Sequence, residues 1–346
     1  MKILKLEQLS NWKPIIMTMP LTQYQLCPAC LQNLLIIAVV GRVRVGGCDT
    51  CGYMGYIDRP TAEWFKEFYH EKWDRVGQEE KESTLRYLQE APITRTVTPL
   101  EMLLLRTKAR KDRPILDIGC GFGRFLKFAK SMGCKDLYGV EKSNHRADVA
   151  EKLGFTIYRG GFEDVDFGGK KFGVIAHHHV LEHVENPDKF IEKCASMQEE
   201  GDYMILGMPN NLGEPTMGVL MFLPHIHSFA ITTIRRLLGR HNYEIADFTL
   251  TNKNSLNVVA IKRNKKVGII GTRGFMDDGI NKLIKGLDYK HHWFKRRLIW
   301  SKGQDNAKSL PTWKTPKGFK DPRSFIVQQG KLEIPIEIES PYLFIK

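Results

Sequence analysis

Two matched cysteine pairs, Cys27-Pro-Ala-Cys30 and Cys48-Asp-Thr-Cys51, stand with 17 residues between them. A Cys-x2-Cys turn brings two thiolates onto one ion, and two such turns complete a tetrahedral four-thiolate site for zinc. The protein fills every position of such a site, so the ion's role is structural. A redox pair and plain buried thiols are the alternatives, but isolated redox motifs do not come as two matched pairs. Residues 34–40 and 43–45 read as a hairpin that brings the turns together, with Gly46, Gly47 and Gly52 easing the backbone. So short a module cannot build a sufficient core, and the ion supplies its folding energy.

A second group with chemistry is the segment 114–123, which reads Pro-Ile-Leu-Asp-Ile-Gly-Cys-Gly-Phe-Gly. Asp117 stands two residues ahead of Gly119, and Gly121 and Gly123 follow at alternate positions. Residues 115–118 form a short apolar strand. Residues 124–132 carry apolar side chains at helical spacing, with Gly133 as the stop. Strand, glycine turn and helix make room for a nucleotide-like ligand at the C-terminal edge of a sheet. A dinucleotide fingerprint needs Gly-x-Gly-x-x-Gly, and its third glycine falls on Arg124 here. Residues 137–141 read as a second strand ending in Glu141, where a carboxylate can accept both ribose hydroxyl hydrogens. Further strands are expected at 156–159, 172–176, 203–208, 243–250 and 255–261. Helices are expected at 145–153, behind Ser143, and after Asn186-Pro187.

With these motifs in order, residues 61–261 resemble the class I S-adenosylmethionine-dependent methyltransferases. The run Asp-x-Gly-x-Gly-x-Gly at 117–123 resembles their first motif. The run His177-His-His-Val-Leu-Glu-His183-Val is close to their segment after the fourth strand, in which Leu-Glu-His-Val is common. The subgroup it looks closest to contains ubiquinone-type O-methyltransferases and zinc-ribbon-bearing sugar or small-molecule methyltransferases. There a stretch like 58–69 links the zinc module to the domain. The resemblance implies an α/β fold, a Rossmann-like seven-stranded sheet with helices on both faces, here preceded by a small zinc ribbon. It implies that S-adenosylmethionine is held by Asp117, Gly119, Cys120, Gly121, Gly123 and Glu141. An acid within Phe162-Glu163-Asp164 would meet the adenine amino group, and His178 would line the same pocket. Gly173 departs from the pattern, standing where the family often has Asp.

Methyl transfer to a hydroxyl is helped by a base near the acceptor. His183, His225 and His227 are the candidates, with no ranking among them. His225 and His227 alternate in a segment where this fold usually builds its acceptor pocket, so one of the two could face inward. Alternatively, Ser228 begins an amphipathic helix over 231–238. A metal on the three successive histidines is disfavoured. Neighbours in an extended run face opposite sides, so only His177 and His179 could share an ion.

The chain has 346 residues and a net charge of +13. Residues 262–346 hold 19 Lys/Arg against 8 Asp/Glu, so nearly all the excess lies there. That asymmetry points to an anionic partner: a small-molecule or glycan-type acceptor, less readily nucleic acid, or a peripheral membrane contact. The readings that compete with a small-molecule methyltransferase are a nucleic-acid-modifying one and a non-catalytic binding protein that reuses the fold. No apolar run has the length of a membrane helix and no secretory signal is visible, so the expected location is cytoplasmic. The expected organisation is a lead-in at 1–20, a zinc ribbon at 21–60, a catalytic domain at 61–261 and a basic extension at 262–346. Ribbon and catalytic domain are expected to have separate cores.

Overall fold

The computed structural model describes residues 4–6, 19–40, 42–68, 98–109, 111–209, 224–251 and 255–268. Most of the lead-in and the basic segment from residue 269 onward lie outside the described residues. The first part holds β1 (Leu4–Leu6), β2 (Leu21–Gln23), β3 (Leu35–Val40), β4 (Val43–Gly47), β5 (Met54–Tyr56), β6 (Asp58–Pro60) and α1 (Ala62–Phe68). The second runs α2 (Pro99–Arg106), β7 (Ile115–Ile118), α3 (Arg124–Ser131), β8 (Leu137–Glu141), α4 (Asn144–Lys152) and β9 (Thr156–Arg159). It continues with β10 (Val174–His178), α5 (Pro187–Ser196), β11 (Tyr203–Pro209), β12 (His227–Ser228), α6 (Ile231–Arg240), β13 (Tyr243–Thr251) and β14 (Ser255–Lys262).

Seven strands form one sheet in the order β13-β14-β11-β10-β7-β8-β9. β7 to β11 pair in parallel, while β14 runs antiparallel to both β11 and β13. β7 and β10 are neighbours, but the chain leaves β7 towards β8 and leaves β10 towards β11. That divergence opens a crevice at the carboxyl ends of the two strands, the place where such sheets bind ligands. The sheet is buried on both faces. α2, α3 and α4 cover one side through Leu103, Phe125, Leu126 and Ala150. α5 and α6 cover the other through Phe190, Ile191, Ile234 and Leu237. The helix starts follow local chemistry. Ser143 accepts from Arg146 N at 3.3 Å. Asn186 accepts from Asp188 N at 3.1 Å, ahead of Pro187. Thr98 and Glu101 form a reciprocal capping box at α2.

Gly173 has a local reason. A Cβ there would run into the Arg113 side chain, which crosses the strand start to pair with Glu199 at 2.7 Å and Asp202 at 2.6 Å.

The β3–β4 hairpin brings the two cysteine turns together as expected. The ribbon does not end there. Its sheet runs β1-β3-β4-β5-β12, and the fifth strand comes from residues 227–228, far along the chain. Ser228 is therefore in a strand, and α6 begins only at Ile231. The expectation of separate cores is corrected as well. Cys27, Cys48, Cys51 and Tyr53 belong to one continuous apolar cluster with Phe229, Ile231 and Leu237. A forty-residue module has too little apolar surface to bury alone, and it borrows the rest from the α6 face. No helix among the described residues is long and apolar enough to cross a membrane.

Candidate active site

The glycine turn leaves β7 with left-handed backbone at Gly119 (φ 71°), Gly121 (φ 54°) and Gly123 (φ 81°). Gly119 has a second constraint, because a Cβ there would lie 2.6 Å from Val180 Cγ2. At Gly121 a Cβ would meet nothing within 4 Å, so open space lies above the turn. The Gly119 and Cys120 N–H groups both donate to Val140 O, at 2.8 and 3.1 Å, which ties the turn to β8. Cys120 is buried, and its sulfur lies where a Cβ on Gly139 would stand.

Glu141 closes the other side. It is 6 % exposed. Its Oε2 accepts from Gly121 N at 2.8 Å and its Oε1 from Ser143 N at 2.9 Å. Burial pushes its pKa up, and these backbone donors oppose that. Asp117 faces the same edge one strand away and is 4 % exposed. Burial, and then the Glu141 charge, push its carboxyl well above the usual carboxylate range. Two acids desolvated side by side are an acceptor-rich pocket that suits a ligand bringing hydroxyl or ammonium donors. Phe162 does not face this pocket. It is 3 % exposed and packs on Phe190 with ring centroids 4.8 Å apart. The exposed Glu163 and Asp164 carboxylates converge on Gly161, each 3.1 Å from where its Cβ would be. Gly160 N is bonded to Glu141 O at 3.0 Å, which places them at the same edge.

The three histidines after β10 go three ways. His177 is fully buried against Phe190, and burial pushes its imidazole down to about 3. His178 is half-buried on the opposite side beside Gly207, and burial lowers it to about 4. His179 has left the strand, with φ 55°, a costly conformation for a residue with a Cβ. His177 and His179 do not converge on one point. Instead His179 Nδ1 lies 2.9 Å from Glu182 Oε1.

Glu182 is the centre of a cluster. It is 1 % exposed, and the imidazoles around it overcome burial and hold its carboxyl down at about 2. His183 Nε2 lies 3.9 Å and His225 Nε2 4.0 Å from Glu182 Oε1, with the two rings 4.6 Å apart. Donor atoms of these three residues all lie within 4.8 Å of one another, a spacing that could also grip a cation. His183 Nδ1 is 2.9 Å from Pro224 O. A carbonyl only accepts, so Nδ1 carries the proton and Nε2 keeps its lone pair. Burial lowers His183 and keeps it neutral. A neutral imidazole next to an ionised carboxylate can accept a proton and hold the resulting charge.

His227 is not part of this chemistry, a correction to its candidacy as a base. It is 0 % exposed and both ring nitrogens are engaged. Nε2 is 2.8 Å from Val184 O and Nδ1 is 2.5 Å from Tyr53 Oη. The carbonyl fixes the tautomer: Nε2 donates, Nδ1 accepts, and the tyrosine hydroxyl donates. Glu182 and Tyr53 were not singled out from the sequence. Glu182 stood inside the Leu-Glu-His-Val run, which was the available signal. Tyr53 carried none.

The four cysteine sulfurs also lie within 4.8 Å of one another, with Cys27 and Cys51 Sγ 3.6 Å apart. A tetrahedral site with zinc–sulfur bonds of about 2.3 Å sets its sulfurs about 3.8 Å apart, so the donors fit. Hydrogen bonds among the thiols hold Cys48 low and Cys51 high, the proton sharing of a crowded, charge-poor cage that a dication would relieve.

Residues 88–247 match the family model of a methyltransferase domain. An uncharacterized protein of Methanocaldococcus jannaschii is 37% identical over 93 residues, 27% of this chain and 43% of that protein. The ubiquinone biosynthesis O-methyltransferase of Chelativorans sp. is 36% identical over 32% of this chain and 48% of its own length. That of Mesorhizobium japonicum is 31% identical over 41% and 64%. The chain thus spans less than two thirds of each of these relatives. Among solved structures, magnesium protoporphyrin IX methyltransferase from Synechocystis aligns at 16% identity and a TM-score of 0.42, over 59% of this chain and all of that one.

Proposed function

We propose that this chain, whose residues 88–247 carry a methyltransferase domain, is an S-adenosylmethionine-dependent enzyme that methylates a small-molecule acceptor. One observation carries the reading. The Glu141 carboxylate is buried at the end of β8 and clamped to Gly121 N and Ser143 N at 2.8 and 2.9 Å, beside a turn with three left-handed glycines. The strand order puts that clamp next to the crevice. When bound, S-adenosylmethionine supplies an activated methyl group with a good leaving group. The chain's own residues then have distinct tasks. Glu141 accepts from the ribose hydroxyls and Asp117 faces the methionine part, with the turn between them. Glu163 or Asp164 meets the adenine amino group, and His178 lines the pocket on the β11 side. His183 Nε2 receives the acceptor's proton and Glu182 holds the charge that forms. His225 shapes the same corner. Catalysis is mostly positioning, because the sulfonium needs little further activation.

The finer reading of the acceptor is an anionic one, glycan-type or phosphorylated, because the excess of positive charge is gathered at 262–346. Zinc at the four cysteines and a cytoplasmic setting, where thiols stay reduced, complete the proposal. Titration calorimetry tests it. S-adenosylmethionine or its demethylated product binds, and Glu141→Ala weakens binding by about 1–3 kcal/mol through unpaired ribose hydroxyls. A chain that prefers a nicotinamide dinucleotide sinks the proposal.

A further inference from the structure

We propose that the four-cysteine module is a positioning element of the Glu182–His183–His225 cluster, with Tyr53 and His227 as the joint between them. The cluster's task rests on the methyl-transfer reading, but the joint does not. The cluster is assembled from two stretches remote in sequence: 182–185 supplies Glu182 and His183, and 224–228 supplies His225. Module residues hold both stretches. β5 pairs with β12, His227 opposite Gly55 and Ser228 opposite Met54. Tyr56 N donates to Ile226 O at 3.1 Å, one residue beyond His225. Arg59 Nη1 donates to Glu185 O at 3.0 Å, and Arg59 Nη2 to Tyr53 Oη at 3.3 Å. His227 joins the two stretches directly, through its N to Glu182 O at 3.2 Å and its Nε2 to Val184 O at 2.8 Å. Its ring is held in turn by the Tyr53 hydroxyl at 2.5 Å.

The metal knuckle itself takes part. Cys51 O accepts from Thr232 Oγ1 at 2.8 Å and Thr233 Oγ1 at 2.9 Å, both in the first turn of α6. Thr232, Thr233, His227 and Arg59 are all buried. Gly55 permits the close approach, because a Cβ there would strike the Tyr53 hydroxyl and lie 2.8 Å from Ile226 O. A ribbon that only stabilised the N-terminus would need none of these bonds to 182–185 and 224–228. The placement of His225 against His183 is therefore set by whether the four-cysteine turns are folded.

Hydrogen exchange with mass-spectrometric readout, on the full chain in reductant, tests this. Zinc-loaded chain is compared with chain stripped by a chelator, and with zinc-loaded Tyr53→Phe and Gly55→Ala. Amides of 182–185 and 226–230 should lose protection about tenfold on stripping and in both variants, the size of one lost buried hydrogen bond. Amides of 115–118 and 137–141 should stay protected. Affinity for S-adenosylhomocysteine should stay within about twofold, since the cofactor side makes none of these bonds. In Tyr53→Phe, carbethoxylation of His183 and His225 should quicken several-fold. His227→Gln, which can still accept and donate, should restore much of the protection that His227→Phe loses. Exchange that rises only within 21–60, with the cluster's reactivity unchanged, overturns the proposal. If stripping unfolds the whole chain, the zinc-loaded variants decide. Absence of S-adenosylhomocysteine binding by the intact chain would count against the methyl-transfer reading alone, and exchange would still judge the joint.

Discussion

Asp117 and Glu141 lie on neighbouring strands, and both are buried. Asp117 is the costlier, because burial and its neighbour raise its pKa. The sign follows from that direction. Below the ordinary carboxylate range the group is protonated in folded and unfolded chain alike, and nothing is lost. As pH rises through the raised folded value, the unfolded chain ionises more easily and stability falls. Asp117→Asn should therefore raise the melting temperature of the ligand-free protein, by about 1–3 kcal/mol equivalent near pH 8 and less towards pH 5. It should also weaken cofactor binding. A gain that does not depend on pH would show that Asp117 is not ionised at its site. Glu182 has the opposite sign. Its folded value of about 2 lies below the usual 4.5, so its stabilisation is present above 4.5 and lost as pH falls through 2. Glu182→Gln should cost about 3 kcal/mol at neutral pH, and urea denaturation should show that difference closing below pH 4.5. Asp117 could be picked out from sequence because a glycine turn follows it. Glu182 could not be ranked, because the histidines that hold it come partly from residue 225, and their approach is a tertiary fact.

The glycine turn is the element where sequence and structure agree most closely. Alternating glycines between an apolar strand and a helical pattern have few other uses, and left-handed backbone is found at each of them. Gly119→Ala meets two penalties, the positive φ and the Val180 side chain. It should cost about 1–3 kcal/mol in stability and remove most cofactor binding, measured by denaturation and calorimetry. The strands of the seven-stranded sheet were legible for a similar local reason: short apolar runs between turn residues. The ribbon hairpin was legible from cysteine spacing. What stayed hidden was β12, two residues long with a histidine and a serine. Nothing local marks His227-Ser228 as a strand, because its partner is 54–56. The sequence reading of Ser228 as a helix start failed on the same ground. At the ribbon, one zinc per chain is expected by elemental analysis of reductively purified protein. Retention of zinc after all four cysteines are changed to Ser would rule the site out.

For the molecule as a whole, charge and core have separate lessons. The basic excess at 262–346 predicts that acceptor binding weakens as salt rises, with screening over about 10 Å at 0.1 M. Cofactor binding, which rests on buried backbone contacts at Glu141, should change much less. Titrations of both ligands across a salt series check this, and salt-independent acceptor affinity would detach the charge from function. The shared core has another consequence, set by the order in which the chain is made. The Tyr53–His227 bond spans 174 residues. A ribosome adding 5–20 residues per second needs roughly 10–35 s to cover that distance. For that interval the cysteine turns have left the tunnel without the strand and helix that complete them. Their apolar side and the open edge of β5 stand exposed, an invitation to a neighbouring nascent chain. Early capture of zinc would hold the hairpin in register during the wait. Cells short of zinc should therefore accumulate this protein as aggregate made during translation, while molecules already complete survive the same shortage.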